Sequence, residues 1–259
     1  MRAGHIPGMS LAVSLGGRIV LEEAFGYADL ENQVLVDTLT AFPTASVVKV
    51  ITATAVLQLA ERHLMDLDWP VEAYCPGFPA KRWPVTPRRL LTHQAGIRPS
   101  NGAAVFNRRH FSTVKDALTL FAGDSLLFEP GTGTVYSNEG YVLLACAIEG
   151  ASGRSYDDYL KERILGPTGM NRTFPDNVYR VMPGIARSYL VRTEQNTQAW
   201  KGLWTPAQLT ETSIDVPAVA EQVDLSLFPG AGNYRSTPGD MLRFVLALER
   251  QALLGDSLT

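Results

Sequence analysis

The sequence predicts an α+β fold, a helical lobe inserted into an antiparallel sheet flanked by helices, and three observations carry that expectation. Met9 to Leu15 and Ile19 to Phe25 alternate or run apolar on either side of Gly16-Gly17, which is a hairpin signal for two antiparallel strands. A segment that is apolar nearly all round begins at Ser46, as a buried helix does. Further helical patterns, each opened by a capping residue, recur to the end of the chain. The 259 residues suffice for one large domain or two intertwined ones.

Taken in order, the hairpin leads to the helix that starts at Ser46 and ends near His63. A proline-rich crossing follows, through Pro70, Pro76, Pro79, Pro84 and Pro87. Ser112 or Thr113 then caps an amphipathic helix near 113–121, with Lys115 as a solvated charge. Helices are expected at 139–150 and 155–164, with Asn138 available as the cap of the first. From Met170 to Phe228 the pattern is irregular and polar. Ser236-Thr237-Pro238 caps a last helix over 239–251, with proline near its first turn.

Ser46-Val47-Val48-Lys49 is the motif with most chemistry in it. Residues three apart on a helix share a face, with Cβ atoms about 5–6 Å apart, so an amine at Lys49 can take the Ser46 hydroxyl proton. Ser112-Thr113-Val114-Lys115 matches the same spacing, and surroundings distinguish the two. After Ser46 come Val50, Ile51, Ala53, Ala55, Val56, Leu57 and Leu59, which would desolvate Lys49 and lower its pKa. Free N–H groups at the helix start would stabilise an alkoxide at Ser46. Ninety residues on, Tyr136-Ser137-Asn138 stands behind the Pro130-Gly131 turn.

These segments resemble the serine β-lactamase-like superfamily, which includes class C β-lactamases, D-alanyl-D-alanine carboxypeptidases, β-lactamase-fold esterases and a mitochondrial branch. The resemblance runs in order through Ile6-Pro7-Gly8-Met9, Gly26-Tyr27-Ala28-Asp29, Ser46-Val47-Val48-Lys49 and Leu90-Leu91-Thr92-His93-Gln94-Ala95-Gly96. It continues through Tyr136-Ser137-Asn138, Gly166-Pro167-Thr168-Gly169-Met170 and Gly230-Ala231-Gly232 to Ser236-Thr237-Pro238-Gly239-Asp240. Ile97-Arg98, Ala186-Arg187-Ser188-Tyr189 and the Ala231-Gly232-Asn233-Tyr234-Arg235-Ser236-Thr237 run resemble the mitochondrial branch in particular. The fold this implies is β-lactamase/transpeptidase-like, a single domain over 1–259 with residues 1–45 and 229–259 in the sheet lobe. Residues 46–228 would form the helical and variable lobe.

By the same resemblance, Ser46 is the nucleophile that forms an acyl-enzyme, Lys49 its proton acceptor or relay, and Tyr136 works beside them. Asn138 would hydrogen-bond the substrate amide and Lys49. Whether Lys49 or Tyr136 is the base stays open at this stage. The implied activity is that of a serine hydrolase on an amide, ester, peptide or β-lactam bond, with no cofactor. The family's third motif, Lys-Thr-Gly or His-x-Gly on a later strand, has no counterpart after Asp240. The expectation is therefore a chain truncated at both ends, poorly active and prone to self-association through an incomplete sheet. The alternative is a binding or assembly protein that keeps the fold without turnover. A Ser-His-Asp esterase using His93 would need a Gly-x-Ser-x-Gly elbow, which is missing, so His93 is read as a structural, hydrogen-bonded residue.

Composition narrows the partners. A net charge of −3 with only short basic clusters such as Arg88-Arg89 leaves no nucleic-acid footprint, so a small molecule or peptide is the expected substrate. No apolar run reaches the roughly 18–20 residues of a membrane helix, and no signal peptide is visible. Compartment is left open, with the extracytoplasmic location of bacterial relatives suggested by resemblance alone. The four histidines are scattered singly, without metal-ligand spacing. Cys146, in the apolar run Leu143 to Ile148, reads as a small buried hydrophobe, and Cys75 as a loop residue.

Overall fold

The computed structural model describes residues 5–100, 109–199, 212–220 and 223–255. Strands β1 (Gly8–Leu15) and β2 (Arg18–Asp29) form the expected hairpin, paired antiparallel from Gly8↔Gly26 to Leu15↔Arg18 across the Gly16-Gly17 turn. A short β3 (Val34–Leu35) extends this sheet on the β2 side, leaving β1 at the edge among the described residues. A second small sheet joins distant parts of the chain, with β4 (Phe42–Pro43) and β5 (Phe174–Pro175) both antiparallel to β8 (Tyr234–Ser236). Within the irregular region, β6 (Tyr189–Val191) pairs with β7 (Pro217–Val219).

The Ser46 segment opens as a 3-10 turn over Ala45–Val47 and continues as α1 (Val48–Glu61). Helix α2 (Pro87–Leu91) starts with proline in its first turn behind the Thr86 cap. Helix α3 (Val114–Leu118) is capped by Thr113, and Asp116 returns the bond in a capping box. The duplicate Ser112 motif thus begins an ordinary surface helix. Helix α4 (Asn138–Ser152) is capped by Ser137, so Asn138 is its first helical residue rather than its cap. Helix α5 (Tyr156–Leu160) follows the Ser155 cap and runs through a wider turn at Lys161–Leu165 into α6 (Gly166–Thr168). After α7 (Glu194–Ala199), the last helix α8 (Pro238–Glu249) starts from the Thr237 cap and packs across β1 and β2.

The core lies in the helical part, where Ile51, Ala55, Val56 and Leu59 of α1 meet Val142, Leu143, Leu144 and Ile148 of α4. Both helices are buried on most sides, which is why their sequences carry no narrow apolar stripe. The β1–β2 hairpin is less covered, and Val13, Leu15, Val20 and Leu21 are exposed on it. No helix of the described residues is long and apolar enough to cross a membrane.

One sequence expectation is overturned. Cys146 is not an isolated small hydrophobe, because it forms a disulfide with Cys75, the two Cα atoms lying 5.5 Å apart. The reason is the approach of backbones that sequence separation hid. A Cβ placed on Gly150 would sit 1.7 Å from the Tyr74 carbonyl oxygen, so only glycine lets the 74–75 loop press onto α4. Cys146 is one turn before Gly150 on the same face, which brings it opposite Cys75.

Candidate active site

The start of α1, the segment before α4 and the loop before β8 converge on one group of side chains. Ser46 Oγ lies 3.2 Å from Lys49 Nζ and 2.6 Å from the Tyr136 hydroxyl. Lys49 Nζ also reaches Asn138 Oδ1 at 2.8 Å and the Ala231 carbonyl at 2.7 Å. The structure therefore brings together Ser46, Lys49, Tyr136 and Asn138, all four residues singled out in the sequence.

Each is held by local structure. Ser46 and Lys49 are one turn apart where the 3-10 opening passes into α1. Asn138 takes its position from the first turn of α4, fixed by the Ser137 hydroxyl accepting the Gly140 N–H at 3.2 Å. Beneath it, Glu139 is buried, accepting bonds from Ser137 Oγ and the Ser100 N–H. The Ala231 carbonyl is delivered by a loop pressed between α1 and α4. Gly230 there has φ 76°, and a Cβ on it would stand 2.8 Å from the Tyr141 carbonyl oxygen. Successive carbonyls of this loop meet successive sites on α1, since Gly230 O accepts from Thr52 Oγ1 at 2.7 Å while Ala231 O accepts from Lys49.

Lys49 is 6% exposed, whereas Tyr136 is 50% exposed, so the amine sits at the floor of the site and the phenol at its rim. Burial lowers the Lys49 pKa, partly opposed by Tyr136 and then Glu139, which favour the ammonium. The ring faces of Tyr136 and Tyr141 lie 4.9 and 5.5 Å from Nζ. A neutral Lys49 fits its surroundings, because two N–H bonds can go to the Asn138 and Ala231 oxygens and the lone pair can face the Ser46 hydroxyl. Chemically, the arrangement can activate a hydroxyl nucleophile.

Sequence reasoning missed one member of this neighbourhood and read a second, His93, as structural and hydrogen-bonded, as it is. Ala231 contributes only a backbone oxygen, which no side-chain pattern signals. His93, read as structural, packs its ring 4.5 Å from that of Tyr136 and 5.2 Å from that of Tyr141. Burial, and then the nearby Lys49, lower the imidazole pKa.

An α+β fold with Ser, Lys, Tyr and Asn converging in this way defines a class of serine β-lactamase-like proteins. The chain belongs to the beta-lactamase family, whose model matches residues 1–259. It is 33% identical to penicillin-binding protein 4* of Bacillus subtilis, over 90% of this chain and 50% of that protein. It is 28% identical to the human mitochondrial serine beta-lactamase-like protein LACTB, over 92% of this chain and 52% of that protein. The chain thus spans about half the length of these curated relatives. Among solved structures, D-amino acid amidase from Ochrobactrum anthropi SV3 superposes with a TM-score of 0.81 at 29% identity, covering 98% of this chain and 69% of that one. The octameric penicillin-binding protein homologue from Pyrococcus abyssi superposes with a TM-score of 0.76 at 27% identity, covering 98% and 56%.

Proposed function

We propose that the protein is a serine hydrolase that works through an acyl-enzyme on Ser46. The observation that carries this reading is Ser46 Oγ lying within hydrogen-bond reach of both Lys49 Nζ and the Tyr136 hydroxyl. Lys49, its pKa depressed by burial, takes the Ser46 proton as Oγ adds to the substrate carbonyl carbon. The Tyr136 phenol gives its proton to the leaving group as the acyl bond breaks, and the Lys49 ammonium restores the phenol. Water then repeats the sequence on the ester, its proton going to Lys49 and the Tyr136 proton to Ser46 Oγ. Asn138 orients the substrate amide, and the Ser46 N–H at the head of the helix is one donor to the oxyanion.

For substrate we favour a small ester or peptide over efficient β-lactam turnover. Similarity to a D-amino acid amidase, a protein that acts on an open-chain amide, supports the choice of an acyclic substrate. The protein should hydrolyse p-nitrophenyl esters or short amides, and Tyr136→Phe should lower kcat by about 10²–10⁴-fold, the usual range for loss of a proton-transfer group. Nitrocefin turnover far above ester hydrolysis would contradict the substrate choice. A folded protein with no turnover of any of these would favour the non-catalytic binding reading.

The disulfide supports an oxidising, extracytoplasmic compartment. Self-association is supported by β1, an edge strand among the described residues, by exposed Val13, Leu15 and Val20 on the hairpin, and by the octameric state of the Pyrococcus abyssi homologue. Light scattering of the 259-residue chain should give oligomers, and a compact monomer that binds no hydrophobic dye would argue against that edge.

A further inference from the structure

His93 touches the Tyr136 segment at three points. It lies just beyond α2 with φ 57°, and its carbonyl accepts the Val135 N–H at 3.0 Å. Its ring Nδ1 lies 3.3 Å from the Ser137 nitrogen, so the residues on both sides of Tyr136 are tied to the same histidine. Between those two bonds, the imidazole packs against the phenol ring at 4.5 Å, tilted 36°. The neighbouring chain adds to the frame, since Gln94 O accepts the Gly131 N–H and Gly96 O accepts the Leu127 N–H. Tyr136 itself is half exposed, with its hydroxyl on Ser46 and one ring face 4.9 Å from Lys49 Nζ, so His93 is the neighbour that holds both its backbone flanks and its ring.

We propose that His93 is a positioning residue for Tyr136, acting as a neutral imidazole whose Nδ1 accepts the Ser137 N–H and whose face sets the phenol against Ser46. This rests on the reading of Tyr136 as the proton carrier. The clamp has a defined response to acid. Protonation puts a hydrogen on Nδ1, where it faces the Ser137 N–H as donor against donor. The titratable groups around the ring are Tyr136 before α4, Tyr141 on α4 and Lys49 on α1. Glu139, also on α4, is turned to Ser137 Oγ and the Ser100 N–H. Burial and Lys49 favour the neutral imidazole, so the clamp holds at neutral pH and is lost as the pH falls through the depressed folded-state pKa.

The test compares His93→Leu and His93→Asn in the whole protein with p-nitrophenyl ester as substrate. Leucine fills space without an acceptor, while asparagine tolerates the left-handed backbone and offers an oxygen near Nδ1. His93→Leu should lower kcat by about 10- to 100-fold with KM little changed, the size expected for a misplaced catalytic group. His93→Asn should recover most of the loss and remove the inflection in kcat that His93 contributes. In a Tyr136→Phe background, His93→Leu should cost little more, because both changes act on one group. Equal losses from His93→Leu with and without the phenol would overturn the proposal, as would a silent His93→Leu beside a large Tyr136→Phe effect. A Tyr136→Phe protein with unchanged kcat would instead overturn the reading of Tyr136, and this proposal with it.

Discussion

Lys49→Met should lower kcat/KM by about 10³–10⁴-fold while the protein stays folded, the upper part of the range for a general base. Methionine fills a similar volume but can neither accept the Ser46 proton nor donate to the Asn138 and Ala231 oxygens. Those two acceptors would then lack a partner, at about 1–3 kcal/mol for each that stays dry. Relief from burying an ammonium offsets part of this, because desolvation is the largest influence on the Lys49 pKa. Stability and activity therefore separate, with a modest fall in melting temperature beside a large fall in rate. The pH dependence carries the same signature. With a folded pKa below the unfolded value, the unfolded chain binds more protons, so wild-type stability rises with pH between the two values. The kcat/KM of the wild type should also rise through the folded-state Lys49 pKa, and that rise should vanish in Lys49→Met. A variant keeping more than about a tenth of wild-type activity would remove Lys49 from the base role.

Gly150→Ala should be the most damaging single methyl in the fold. Its Cβ would lie 1.7 Å from the Tyr74 carbonyl oxygen, a backbone atom that cannot rotate away. Either the 74–75 loop lifts from α4 or the helix shifts, and both strain the Cys75–Cys146 link one turn away. A cost of about 3 kcal/mol or more is expected, at or above the upper end for overpacking. Cys75→Ala with Cys146→Ala should cost about 2–4 kcal/mol by freeing the unfolded chain. Chemical denaturation of the three proteins checks both figures. If Gly150→Ala unfolded at the wild-type midpoint with the disulfide intact, the account of how loop and helix meet would be wrong.

These two sites show what the sequence could and could not disclose. Ser46 and Lys49 were legible because helical spacing is local and the apolar residues after them announce burial. A cap at Ser112 or Thr113 was legible for the same reason, one side chain bonding its own backbone three residues on, and Thr113 is the one that fills it. The disulfide was not, because it depends on Gly150 admitting a loop from 71 residues away in the cysteine numbering. Ala231 was hidden as well, since the group it offers Lys49 is a backbone carbonyl aimed by the positive φ of Gly230. The cap of α4 fell one residue early, at Ser137, which freed Asn138 to face Lys49. In the irregular stretch after Met170, single short strands pair with partners far away in sequence, and two or three residues give no periodicity to read.

The most direct test of the central claim is to treat the protein with a fluorophosphonate and locate the adduct by peptide mass spectrometry. The account predicts one covalent label on Ser46, slowed strongly by Lys49→Met and absent in Ser46→Ala. A label that persists in Ser46→Ala and disappears in Ser112→Ala would contradict it.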